Sequence, residues 1–207
     1  MDMYVTEGET PGARSLAELK AEAAHCRRCE LYRYASQTVF GEGPPFASIV
    51  LVGEQPGDKE DMAGRPFVGP AGVMLNECLV AAKVDRDQCY VTNMVKHFKF
   101  LQRGKLRLHA KPDAREVERC SWWLKNELRL IEPKIVVALG ATAATYFLGT
   151  SVRVIRDRGK LFKSRTLPPV LVTIHPSYIL RIRDRNDADA EKRAFIRDLT
   201  EINAFAE

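Results

Sequence analysis

The sequence lacks any run of about 18 apolar residues, so no segment of it could cross a bilayer as a helix. Residues Met1 to Gly12 are acidic and polar, whereas a secretory leader would be basic and then apolar, so the expected compartment is the cytoplasm. Internal repeats, low-complexity tracts and Pro/Gly/Ser-rich linkers are all missing. The expectation is therefore a single domain over 1–207, with 1–14 as a flexible N-terminal segment. Cysteine is scarce, and the five present are an odd number, which argues against a disulfide framework. Neither GxGxxG nor the P-loop pattern occurs, so dinucleotide and triphosphate binding lose their main support. Charge of one sign is in small excess: 32 Lys+Arg against 27 Asp+Glu leave +5, which permits a nucleic-acid partner without requiring one.

What is present is enough to build one sizeable core, with 45% of 207 residues hydrophobic. Short β-branched runs occur at Ser48–Val52, Tyr90–Thr92, Lys134–Leu139 and Val170–Ile174. Most show no apolar/polar alternation, as expected of parallel strands covered on both faces. Helical spacing lies between and after them, at Ala71–Ala82, Pro112–Ile131, Ala141–Leu148 and Ala188–Phe205. The alternation predicts an α/β fold: a three-layer α/β/α sandwich around a central parallel sheet of four strands.

Ligands of such sheets bind beyond the carboxyl ends of the strands. Those positions here are Gly53-Glu54-Gln55-Pro56-Gly57, Asn93, Gly140-Ala141-Thr142 and His175-Pro176-Ser177. The first combines two glycines, a proline and a carboxylate, a composition that lets backbone N–H groups approach a ligand, or that simply makes a tight turn. Asn93 has the donor and acceptor to read a base edge, although Asn also commonly caps a turn. His175, followed by a proline that fixes the backbone, is placed to meet a substrate.

Cys26 and Cys29 flank two residues, a spacing that reads as metal or redox chemistry in a reducing compartment. Cys78 shares an apolar helical side with Leu75, Leu79 and Ala82 and reads as a buried hydrophobe, while nothing beside Cys89 looks like a ligand loop. That leaves Cys26, Cys29 and Cys120 with a histidine, His97 in particular, for zinc or for an iron–sulfur centre. Between Lys96 and Lys111, the basic residues Lys96, Lys99, Arg103, Lys105, Arg107 and Lys111 interleave with Phe98 and Phe100, a pattern suited to phosphate contact and base stacking or to a solvated loop. The segment holds His109, which could contact phosphate, act as a nucleophile or do neither.

Taken in order, Cys-x-x-Cys, GEQPG, GRPFVGPAG (Gly64–Gly72), TNMVKH (Thr92–His97) and HPS resemble the iron–sulfur uracil-DNA glycosylases of family 4, from about Cys26 to Ser177. Two departures stand out: His97 where the commoner pattern has cysteine, and Gln55 where it has alanine. With the inserted segment Arg103 to His109, they make the chain similar to the type X class, UdgX, whose KRRIH loop ends in a histidine that attaches to DNA after uracil leaves. Here the loop reads Lys105-Leu106-Arg107-Leu108-His109, with Leu106 in place of a basic residue.

The resemblance implies a [4Fe-4S] cluster on Cys26, Cys29, His97 and Cys120. It implies DNA repair, with uracil-containing DNA, preferably single-stranded, as partner, free uracil as product, and a monomer. Phe67 would stack on the everted uracil and Asn93 bond its polar edge, with Gly53, Gln55, Asp58, Arg107 and Ser177 completing substrate binding. His175 would stabilise the departing uracil anion, Glu54 would orient His109 and help take its proton, and His109 would capture the sugar at C1′. Two other outcomes stand beside this one: a conventional family-4 enzyme in which water is the nucleophile, and a non-catalytic iron–sulfur DNA-binding module.

Overall fold

The computed structural model describes residues 13–163 and 168–206. Residues 1–12 of the expected flexible segment lie outside that description. Ala13 is buried, and its carbonyl accepts from the Arg129 guanidinium.

In chain order the elements are α1 (Leu16–Ala23), β1 (Ile49–Gly53), α2 (Asp58–Ala63), α3 (Pro70–Ala81), β2 (Cys89–Asn93), β3 (Phe100–Arg103), β4 (Leu106–His109), α4 (Ala114–Ile131), β5 (Ile135–Leu139), α5 (Ala141–Leu148), α6 (Val154–Asp157), β6 (Leu161–Phe162), β7 (Val170–Thr173), α7 (Pro176–Ile179) and α8 (Arg185–Thr200). The sheet order is β2-β1-β5-β7-β6. The four β-branched runs are its parallel strands. The expected four-stranded parallel sheet gains a fifth member, β6, a two-residue antiparallel edge strand on β7 that is too short to show a pattern in the sequence.

Alternate residues of each strand enter opposite cores, which is why the runs are apolar throughout. Val50, Val52, Val136 and Val172 face Leu19 of α1, Trp123, Leu124 and Leu128 of α4, and Phe147 of α5. Leu51, Ile135, Val137 and Leu171 face Leu75, Cys78 and Leu79 of α3 and Phe195 and Leu199 of α8. The result is the predicted three-layer sandwich, with Cys78 inside the second core as its helical position required.

Helix ends differ from expectation by capping. α4 begins at Ala114 because Asp113 caps it, accepting from Glu116 N–H at 2.9 Å while Glu116 accepts from Asp113 N–H at 2.8 Å. α8 begins at Arg185, earlier than the apolar spacing indicates, because Asp184 accepts from Asp187 N–H. Its expected last turn is a 3₁₀ segment, Glu201–Phe205.

Two parts of the basic segment are not what composition implied. Residues 100–109 form a hairpin, β3 antiparallel to β4, turning at Gly104 with φ +58, a value suited to the first position of a two-residue turn. Lys96 is not on the surface at all. Its ammonium is fully buried 2.6 Å from Glu127 of α4, and it also donates to the Thr92 hydroxyl and, at 2.8 Å, to the Asn93 carbonyl. Glu127 accepts further from Tyr90 Oη, Thr92 Oγ1 and Gly41 N–H.

Removing one partner of such a pair strands the other charge. Lys96→Met should therefore lower the unfolding free energy by about 3–5 kcal/mol, read by urea titration. Lys96→Met with Glu127→Gln should recover much of the loss, since no ion is then left buried. Equal stability of the single variant and the wild type would contradict a structural role for the pair.

Candidate active site

β1 and β5 are neighbours whose following loops diverge, β1 leading by way of α2 and α3 to β2 on one side and β5 by way of α5 and α6 to β7 on the other. That is the topological switch point at which doubly wound sheets bind ligands. Glu54, directly after β1, spans it: its carboxylate accepts a short hydrogen bond from Thr142 Oγ1 in α5. Its other oxygen lies 3.4 Å from His109 Nε2 at the end of β4. Burial works against the Glu54 carboxylate, but hydrogen bonds from His109 and Thr142 outweigh it and hold its pKa below the usual range. Thr142 was not among the sequence candidates, although its loop was, because only the fold brings the ends of β1 and β5 together.

His109 is half exposed, and its position is set by the base of the hairpin. Gln55 is buried; its amide donates to the Lys99 and Ala110 carbonyls at 3.2 and 3.0 Å and its oxygen accepts from Lys99 N–H at 3.1 Å. The Gln55 side chain thus spends these hydrogen bonds on the base of the hairpin. Arg107 is held likewise. It pairs with Asp58 and with the fully buried Asp61, each at 2.6 Å, donates to Ser36 Oγ, and lies over the Phe98 and Phe100 rings. Asp58 is therefore engaged by Arg107. Phe98 is buried beneath this stack and not open to a base, and Lys99 pairs with Glu116. Of the basic residues in the segment, Arg103, Lys105 and Lys111 are the exposed ones.

On the other side of Glu54, Asn93 and Phe67 converge over Gly53. A Cβ on Gly53 would come within 2.4 Å of Asn93 Oδ1 and 2.8 Å of the Phe67 ring, so only glycine lets both side chains close there. Phe67 has φ +55, a left-handed conformation unusual for an aromatic residue. Its backbone is seated on Gly72, where a Cβ would meet the Phe67 carbonyl oxygen at 1.8 Å. Glu60, which composition did not single out, ties the two loops together, accepting from Gly57 N–H at 3.1 Å and Gly69 N–H at 2.7 Å.

The Phe67 ring stacks 6.0 Å from the His175 ring. Ser177 N–H donates to His175 Nδ1 at 3.2 Å and Ser177 Oγ sits 2.8 Å from the same atom, itself receiving a bond from Arg181. An acceptor Nδ1 puts the proton of the neutral ring on Nε2. Ser177 consequently orients His175. Burial pushes the His175 pKa down to about 4, with the charges of Arg181 and His109 adding to the drop and Glu54 opposing it.

The fourth group is the cysteine set. Cys26, Cys29 and Cys120 are buried in one core, and no disulfide joins them. Burial raises the Cys29 thiol and pushes Cys120 up to about 12, with the neighbouring thiols adding to both. N–H groups point at the sulfurs: Trp123 Nε1 at 3.1 Å from Cys26 and Lys96 N at 3.1 Å from Cys120. His97 is buried, with Nε2 3.0 Å from Thr38 Oγ1, and its Nδ1 has no partner. Among the described residues no three His, Cys, Asp or Glu side chains close on a point that could hold one metal ion.

Because the unfolded His175 binds protons more readily than the folded one, stability falls as pH drops through 6.5 toward 4. Urea unfolding at pH 7.5 and 4.5 should show a loss of roughly 2–3 kcal/mol from this residue. In a His175→Gln protein that component should vanish. An identical pH dependence in both proteins would refute the neutral imidazole at His175.

The sequence model of the Uracil DNA glycosylase superfamily matches residues 40–200. The chain is 35% identical over 181 residues to a type-4 uracil-DNA glycosylase of Thermotoga maritima, covering 87% of this chain and 88% of that protein. Identity is 33% to the type-4 uracil-DNA glycosylase of Sulfurisphaera tokodaii, covering 80% and 76%, and 32% to that of Archaeoglobus fulgidus, covering 86% and 91%. Among the described residues no helix is long and apolar enough to cross a membrane. By the family match over residues 40–200 and the identities to these relatives, the chain belongs to the uracil DNA glycosylase superfamily.

Proposed function

We propose that this protein excises uracil from DNA and remains attached to the sugar through His109. The observation that carries the reading is the carboxylate of Glu54, anchored by Thr142 on one side and 3.4 Å from His109 Nε2 on the other. It lies at the sheet edge that also gathers Asn93, Phe67 and His175. Excision needs an everted uridine, with uracil held between the Phe67 ring and the Asn93 amide. The C1′–N1 bond then breaks, its electron pair leaving with uracil. Neutral His175 offers Nε2–H to the resulting anion, an interaction whose loss in comparable sites lowers rate by about 10²–10³.

The oxocarbenium-like sugar needs a nucleophile. One ring nitrogen of His109 gives its lone pair to C1′ while the proton on the other passes to Glu54. An imidazole fixed by Gln55 and Arg107 acts at an effective molarity far above that of a diffusing solute. The product is an N-linked sugar with a poor leaving group, so the protein would act once. A hydrolytic reading, with water as nucleophile and His109 a bystander, is favoured by the type-4 names of the relatives. His109→Ser separates the two. Under the covalent reading, wild type gives a denaturant-resistant band with uracil-containing single-stranded DNA, whereas His109→Ser gives none and releases uracil with turnover. A band unchanged in His109→Ser would sink the histidine mechanism.

Cys26, Cys29, Cys120 and His97 suit a [4Fe-4S] cluster, which would supply a cross-link joining the Cys26 loop, the end of β2 and α4. The supporting features are the N–H groups aimed at sulfur, as thiolate ligands require, and the unpartnered Nδ1 of a histidine held through its other nitrogen. Purified protein should be brown, and His97→Ala should lower its iron content while Cys78→Ala, in the other core, leaves it unchanged. Equal iron in wild type and His97→Ala would remove His97 from the set.

A further inference from the structure

The β3–β4 hairpin has two faces, fixed by strand alternation. Phe100 opposite His109 and Gln102 opposite Arg107 form one face, which is turned to the site and to α2 through His109 and Arg107. Leu101 opposite Leu108 and Arg103 opposite Leu106 form the other. An antiparallel ribbon with one solvated face ordinarily carries polar residues there. Here three leucines stand in that position, 68%, 65% and 41% exposed for Leu101, Leu106 and Leu108, and none packs into either core. Folding supplies no reason for them.

Leu106 and Leu108 also line a groove of about 460 Å³ that wraps the edge of the hairpin, where Gln102 and Arg107 of its other face meet Asp58 and Met62 of α2. Met62 of α2, 65% exposed and also outside both cores, lines it with them. Asp58 and Arg107 lie in the groove as an ion pair, with Arg107 held also by the buried Asp61. Lys105 lines it from the hairpin turn, and the exposed Arg103 stands two residues away. The groove thus sets three apolar side chains, Met62, Leu106 and Leu108, beside a hydrogen-bonding Gln102 and an ion pair, has cations at its edge, and shares β4 with His109.

We infer that this groove receives an unpaired base of the DNA strand adjoining the excised nucleotide, with Lys105 and Arg103 meeting the phosphates beside it. The inference rests on the glycosylase reading for where the strand runs. A nucleotide brought to His109 carries its neighbours with it. An adjoining base must either stay in water or lie on the nearest apolar surface, and Leu and Met side chains serve elsewhere as wedges against bases. Lys and Arg complement the strand's charge. A paired base has its edge and both faces occupied and cannot enter, so the groove favours single-stranded substrate.

The test uses the full chain and short single-stranded oligonucleotides with one uridine. In matched oligonucleotides the 5′ or the 3′ neighbour is replaced by a tetrahydrofuran spacer that keeps the phosphate but has no base. For wild type, the spacer on one side should raise the oligonucleotide concentration for half-maximal uracil release about 5–20-fold, with the saturated rate unchanged. Leu106→Ser and Met62→Ser, both exposed and compatible with an unchanged melting temperature, should raise it similarly with the natural neighbour. In these variants the spacer should add nothing further. If neither spacer matters in wild type, or if spacer and substitution effects multiply, the groove is not a base seat. A groove serving a protein partner would also leave the spacer without effect and overturn the inference. Should wild type release no uracil from any oligonucleotide, the glycosylase reading fails. Fluorescence anisotropy with uracil-free oligonucleotides then still decides the groove: weaker binding of the spacer form supports it, and equal binding overturns it.

Discussion

The ion pair between Lys96 and Glu127 is the constraint on which the two functional regions both depend. With both side chains fully buried, the ammonium has no water to fall back on, and each of its bonds dictates a position. One fixes the Asn93 carbonyl, at the strand end where uracil would be read; the backbone N–H of the same residue fixes Cys120 Sγ. A buried ion pair is weak evidence of net stability, since desolvation offsets much of the attraction. Its effect here is on geometry. It locks the end of β2 to α4, so that Asn93 stands at the carboxyl end of its strand while Lys96 N–H meets Cys120 of α4.

A second theme is that three cations around the hairpin, Lys96, Lys99 and Arg107, are spent internally. Lys96 answers Glu127, Lys99 answers Glu116, and Arg107 answers Asp58 and Asp61. Each cation thereby becomes a structural tie, and together the last two and Gln55 fasten a hairpin that would be marginal alone. An isolated two-stranded ribbon has too few contacts to hold its end residue in place. Anchored at its base by Gln55 and along its inner face by Arg107, it holds His109 against Glu54 while leaving the imidazole half exposed to what arrives from outside.

The polar histidines illustrate how the same side chain is given different work by its surroundings. His175 is kept neutral by burial and its tautomer is set by Ser177, which makes it a donor rather than a cation. His97 is buried with one nitrogen committed to Thr38 and the other without a partner, which suits a ligand. His109 is open to solvent beside a carboxylate, which suits a nucleophile.

The four parallel strands and the apolar faces of α3 and α4 were legible in the sequence because burial on both sides of a sheet, or along one side of a helix, leaves a local period that a short window contains. The strand-end residues Glu54, Asn93 and His175 were legible for the same reason: once the strands are placed, their carboxyl ends follow. The hairpin was written in the alternation around Gly104 but was masked by the basic residues, whose charge suggests solvent. What the sequence could not decide was which polar groups face each other. Lys96 with Glu127, Arg107 with Asp61, Glu54 with Thr142 and Gln55 with Ala110 are separated by 31, 46, 88 and 55 residues. No local pattern encodes such pairs, because their partners are set by the crossover of β1 and β5 and by the packing of α4 on the sheet. Composition therefore marked the region of the site. Tertiary structure decided which of its residues are open to a ligand and which are consumed in holding the others still.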